Sequence, residues 1–143
     1  MKIVCASGYF DPLHIGHIEY LKKAKDLGDQ LVVIVNNDKQ SRFKKGFCFM
    51  NERERLSIIR SLSFVDFALI SLDQDKSVCK TLAMLRPDIF AKGGDRFRDN
   101  IPEKLTCDNN GIEIVSGLGV KIQSSSNLLS SYKKICQATQ DKL

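Results

Sequence analysis

Residues 31–35, Leu-Val-Val-Ile-Val, form an unbroken apolar run with no alternating polar position. A strand with one wet face alternates; one that does not is buried on both faces, as happens where helices cover a parallel sheet from either side. Gly28-Asp29 before the run and Asn36-Asn37-Asp38 after it supply the breaks that make it a central strand. Residues 2–6, 64–70, 88–91 and 112–115 are the other strand candidates. Between them, Ile18, Leu21, Ala24 and Leu27 predict a helix ending near Gly28, and Asn51 with Glu54 opens another whose apolar positions are Leu56, Ile58, Ile59 and Leu62. Residues 75–85, stopped by Arg86-Pro87, and residues 101–108 and 128–135 complete the helices. Residues 39–50, basic, glycine-bearing and aperiodic, are expected to form a mobile loop. Strands alternating with helices over 143 residues predict one α/β domain, 1–143. Its frame is a single doubly wound, parallel five-stranded sheet with helices on both faces and right-handed crossovers.

Ligands of such sheets bind beyond the carboxyl ends of the strands, at the switch in strand order. The first strand candidate runs into Gly8-Tyr9-Phe10-Asp11-Pro12-Leu13-His14-Ile15-Gly16-His17. This places two imidazoles three residues apart at a helix start, where free N–H groups and the positive end of the helix dipole favour an anion. Residues i and i+3 share a face, so His14 and His17 can meet one phosphate. Gly16 leaves room for a ligand to approach the backbone. Two histidines on one face also suit a metal ion, but no third ligand accompanies them. Ser124-Ser125-Ser126, ahead of the last helix, offers an N-cap and spare hydroxyls at a second helix start.

The net charge is +5 and the longest basic runs are the pairs Lys22-Lys23, Lys44-Lys45 and Lys133-Lys134. Nucleic-acid binding calls for a clustered basic face with stacking aromatics, so no nucleic-acid partner is expected. Five widely spaced cysteines, at 5, 48, 79, 107 and 136, without a C-x-x-C, read as free thiols of a reducing compartment. With no signal peptide and no apolar run of membrane-spanning length, a cytoplasmic protein without a membrane partner is expected.

The stretch from Gly8 to His17 resembles the G-x-F-D-x-x-H-x-G-H signature of the cytidylyltransferase-like nucleotidyltransferases, whose fold is Rossmann-like. Asn36-Asn37-Asp38, Glu54-Arg55, Val65-Asp66, Lys92-Gly93-Gly94-Asp95 and Ser124-Ser125-Ser126 resemble later family landmarks in the same order, each expected beyond a strand's carboxyl end. The resemblance implies an enzyme that joins a nucleoside triphosphate to a phosphorylated sugar or polyol and releases pyrophosphate, with Mg2+ beside the triphosphate. It implies that His14, His17, Lys44 and Ser125 act on the reacting phosphates. Tyr9, Phe10, Asp11, Gly16, Lys92, Gly94, Asp95, Ser124 and Ser126 would contact the nucleotide. Asp38, Lys45 and Arg55 would contact the acceptor, with either Lys44 or Lys45 closing over phosphate. Asp11 would hold the hydrated magnesium or orient its own loop. Lys92-Gly93-Gly94-Asp95 is similar to the adenylyltransferase domain of ADP-heptose synthases, which points to ATP with a heptose 1-phosphate-like sugar. CTP with glycerol 3-phosphate is the alternative, although Ser63 and Lys121 stand where some such cytidylyltransferases carry arginine. A regulatory module that binds nucleotide without catalysis is the rival from another class. Family members commonly form homodimers, and Phe43, Phe47, Phe49 and Met50 place apolar weight where a partner or ligand would cover it.

Overall fold

Six residues each of β1 (Ile3–Gly8) and β2 (Gln30–Val35) pair in parallel from Ile3↔Gln30 to Gly8↔Val35, and the sheet grows outward from this pair. β3 (Phe67–Ile70) adds beside β2; β4 (Ile89–Gly93) and then β5 (Glu113–Leu118) add on the far side of β1. The order β3-β2-β1-β4-β5, parallel throughout, is the doubly wound topology expected, with its switch between β1 and β4. The computed structural model describes residues 1–93, 101–118, 128 and 131–137.

Alternation along the strands divides the core in two. Val4, Ala6, Leu31, Val33 and Val35 face α1 (Ile15–Lys25) and α3 (Glu52–Arg60), which bury Leu21, Ala24 and Ile59 against them. Cys5, Ile34, Phe90 and Ile114 face the other way, toward Leu82 of α4 (Cys79–Leu85) and Cys107 of α5 (Lys104–Asn110). Each fully buried aliphatic contributes about 1.5–3 kcal/mol of transfer free energy. Helices therefore cover both faces, and the doubly apolar run at 31–35 is satisfied. Cys5, Cys48, Cys79, Cys107 and Cys136 are all free thiols. Among the described residues no helix is long and apolar enough to cross a membrane.

Three local expectations change. The stretch 39–50 is not one loop, because Asp38–Lys45 forms a helix, α2. Asn37 and Gln40 close a reciprocal capping box at its start and Gly46, at φ 83°, ends it in the left-handed region. The helix eludes periodicity because the residues it buries, Gln40 and Ser41, are polar. Gln40 instead bonds the Asp75 and Ser77 carbonyls. The helix expected at 75–85 begins only at Cys79, after a turn in which Asp73 accepts the Lys80 and Thr81 N–H groups. Finally, Asp66 lies at the amino end of β3, away from the site. Its Oδ2 accepts Leu31 N–H at 2.8 Å and pairs with Lys25 at 2.6 Å, so this landmark fastens α1 to the strand beginnings.

Candidate active site

His14 is the N-cap of α1, with extended φ and ψ of −143° and 176°. Its Nδ1 accepts Gly16 N–H at 3.1 Å, and His17 Nδ1 accepts His14 N–H at 3.1 Å. The two histidines thus form a capping box, a role more often filled by a hydroxyl and a carboxylate. An Nδ1 that accepts carries no hydrogen, so each neutral ring holds its proton on Nε2. The rings stack with centroids 3.7 Å apart and 21° between planes, and the Phe10 ring meets His17 edge-on at 5.0 Å. Burial lowers the His14 pKa. Burial first, then His14, Lys45 and Lys44, lower that of His17 to about 3. The free protein near neutral pH therefore presents two parallel neutral Nε2–H donors at a helix amino terminus. Among the described residues neither Nε2 has a hydrogen-bond partner, which suits an incoming anionic oxygen.

Asp11 and Arg55 hold this turn in place and are spent in doing so. Asp11 is wholly buried. Its Oδ1 accepts Met50 N–H at 2.6 Å; its Oδ2 accepts Phe49 N–H at 3.0 Å and the Ser41 hydroxyl at 3.1 Å. Lys45 Nζ lies 3.7 Å from Oδ2 and donates to the Asp11 carbonyl. Arg55 is equally buried: Nε donates to Met50 O, Nη1 to Tyr9 O and Asn36 O, and Nη2 to Asp38 Oδ1, all within 2.6–2.9 Å. These residues do not reach a ligand in this arrangement. The expected acceptor contact of Arg55 and the expected magnesium contact of Asp11 give way to clamping, which ties the motif loop to β2, α2 and the segment 48–50. Phe10, expected on the nucleotide, is buried at φ 53° against the core instead. Its ring lies 2.7 Å from where a Cβ on Gly8 would stand, so Gly8 is glycine because Phe10 folds back over it.

Other expected residues keep access. Lys44 Nζ stands 4.4 Å over the Tyr9 ring, and Lys45 is half-buried, its ammonium held below the usual range by burial despite Asp11. Asp38 keeps its carboxyl below the usual range even though burial opposes this, because the Cys48 thiol at 2.9 Å and Arg55 both favour the anion. Lys92 emerges at the end of β4, above the Phe90 ring. Gly16 sits in the first turn of α1. Asp38 also lines a cleft of about 360 Å³ at the carboxyl ends of β2 and β3, with Lys39, Arg42, Glu52 and Asp73. Lys39 and Arg42, absent from the site residues expected from the sequence, stand three residues apart on α2 and so share a face. Gly94, Asp95, Ser124, Ser125 and Ser126 lie outside the described residues.

The model of the family described as cytidylyltransferase-like matches residues 5–134. An FAD synthase from Thermoplasma volcanium is 36% identical over 131 residues, 92% of this chain and 91% of the relative. A bifunctional protein HldE from Syntrophotalea carbinolica is 35% identical over 89% of this chain, but the match spans only 26% of that longer protein. In three dimensions the chain is similar to the crystal structure of a lipopolysaccharide core biosynthesis protein from Thermoplasma volcanium GSS1. There the TM-score is 0.73 at 34% identity, covering 84% of this chain and 98% of that one.

Proposed function

The chain belongs to the cytidylyltransferase-like family of nucleotidyltransferases, and from that premise we propose that it transfers an adenylyl group from ATP to a phosphate monoester in the cytoplasm. The observation that carries this reading is the stacked pair of Nε2–H donors at the amino end of α1. An oxygen of the acceptor phosphate attacks the α-phosphorus, forming one P–O bond as the bond to pyrophosphate breaks. A phosphate monoester is largely dianionic at neutral pH, its second pKa being about 6, so no strong general base is required. What the transition state needs is alignment and donors for the charge that builds on the transferring group and leaving oxygens. His14 and His17 supply donors, Lys44 and Lys45 supply positive charge beside them, and Lys92 is retained as a nucleotide contact at the end of β4.

Magnesium enters this reading as the counter-ion of the triphosphate. Asp11 does not fit a metal, since both its oxygens already accept protein hydrogens in a buried site. Gly94, Asp95 and the three serines are retained as nucleotide contacts, with Ser125 on the reacting phosphates, and Asp38 and Lys45 as acceptor contacts.

A sugar phosphate is the first acceptor, on the likeness of Lys92-Gly93-Gly94-Asp95 to ADP-heptose synthases. A second reading, with flavin mononucleotide as acceptor, is favoured by the exposure of Phe43, Phe47 and Phe49 on and after α2. The FAD synthase relative, matched over nearly its full length, supports it. Pyrophosphate release measured with ATP and CTP against heptose 1-phosphate, glycerol 3-phosphate and flavin mononucleotide tests both. ATP turnover with the sugar supports the first and with the flavin the second; preference for CTP overturns the adenylyl assignment. A homodimer completes the reading, and sedimentation showing only monomer at micromolar concentration removes it.

A further inference from the structure

β1 and β4 part at the site end of the sheet. Their pairing runs from Val4↔Ile89 to Ala6↔Ala91 and stops. β1 stays with β2 as far as Gly8↔Val35, and β4 stays with β5 as far as Gly93↔Leu118. The crevice so opened lies at the switch in strand order. At its floor the Tyr20 hydroxyl accepts Ser7 N–H at 3.3 Å and donates to the Ala91 carbonyl at 2.6 Å. One oxygen therefore spans an N–H of one strand and a C=O of the other just where their ladder ends. Tyr20 is buried on α1, three residues beyond His17 and so on the same helical face. Burial keeps the phenol protonated far above neutral pH, so its donation to Ala91 persists.

We propose that Tyr20 is a positioning residue for nucleotidyl transfer: its hydroxyl sets the width of the β1–β4 crevice and ties the histidine turn of α1 to the strand end bearing Lys92. Without the hydroxyl, a part-buried Ser7 N–H and the buried Ala91 C=O face one another across a gap, and polar groups withdrawn from water find partners. They recover by closing on each other, which narrows the crevice. The proposal rests on the nucleotidyl-transfer reading above.

Tyr20→Phe tests it, with ATP binding measured by calorimetry beside steady-state kinetics. The expected result is ATP binding weakened at least about tenfold, KM for ATP raised to match, and KM for the acceptor within about twofold of the parent. Ile59→Val, in the same core cluster but on α3, which packs on β2 and β3 and so away from the β1–β4 crevice, lowers Tm while leaving both KM values unchanged. Wild-type ATP affinity and KM in Tyr20→Phe overturn the proposal, whatever the change in Tm. A parent protein that binds no triphosphate overturns the functional reading as well, so the two failures are distinct. Should Tyr20→Phe not fold, 3-fluorotyrosine is incorporated into the unmutated chain and its resonances assigned with Tyr9→Phe and Tyr132→Phe. A Tyr20 fluorine signal that moves on ATP saturation supports the proposal, and one that does not move overturns it.

Discussion

Arg55→Met separates a clamp from a ligand contact. The guanidinium is fully buried and makes four hydrogen bonds of 2.6–2.9 Å, three to backbone carbonyls of Tyr9, Asn36 and Met50 and one to the Asp38 carboxylate. Methionine fills much of the volume but donates nothing. The substitution leaves the Asn36, Tyr9 and Met50 carbonyls and the half-buried Asp38 carboxylate without their donor; at about 1–3 kcal/mol for each buried group left unsatisfied, the loss is about 3–5 kcal/mol, a large share of the roughly 5–15 kcal/mol that stabilises a domain. With an unfolding entropy of about 2.1 cal/mol/K per residue, a chain of this length loses about 3 °C of Tm per kcal/mol, so Tm should fall by about 10–16 °C. Arg55→Lys should also fall substantially, because an ammonium is a point charge that cannot span four acceptors in a plane. Thermal unfolding followed by circular dichroism, with a urea midpoint at constant slope as a second measure, reads the effect directly. A melt within about 3 °C of the parent, accompanied by a tenfold rise in acceptor KM, would refute the clamp and restore Arg55 as a substrate contact.

His17→Asn keeps an acceptor near the position of Nδ1 but loses the Nε2–H, so turnover should fall about a hundredfold, the scale of one preorganised donor. Its Tm should stay nearer the parent than that of His17→Ala, which also loses the cap. Stability should fall as pH drops below about 6.5: both histidines are harder to protonate in the folded protein, so the unfolded chain binds more protons in that range, and for His17 the loss continues toward about 3. Melts at stepwise lower pH should show this decline, and His17→Asn should flatten it. Gly8→Ala drives a methyl into the buried Phe10 ring at 2.7 Å. Overpacking of this kind costs about 1–3 kcal/mol, and because Phe10 supports the His17 ring edge, turnover should drop along with Tm.

What short-range order controls was legible in the chain. The doubly apolar strand at 31–35, the helix starts at Asn51 and His14, and the paired imidazoles at a strand-to-helix junction depend on periodicity and on caps three residues long. Helix α2, expected as part of a mobile loop, carries a local signature in Asn37, Gln40 and Gly46, but its buried face is polar and leaves no apolar periodicity. Only the tertiary structure decided which charged residues remain available. Asp11 and Arg55 sit in motif positions that suggest ligand contacts, yet their partners lie up to 46 residues away in sequence. The same holds for Tyr20, whose hydroxyl joins Ser7 N–H to the Ala91 carbonyl, 71 residues from Tyr20 itself. A side chain's hydrogen bonds are settled by whichever groups the fold brings within about 3 Å, and once buried they must be satisfied there. Local sequence fixes where such a residue stands along its helix or strand; long-range packing fixes whether its charge faces substrate or is consumed in holding the site together.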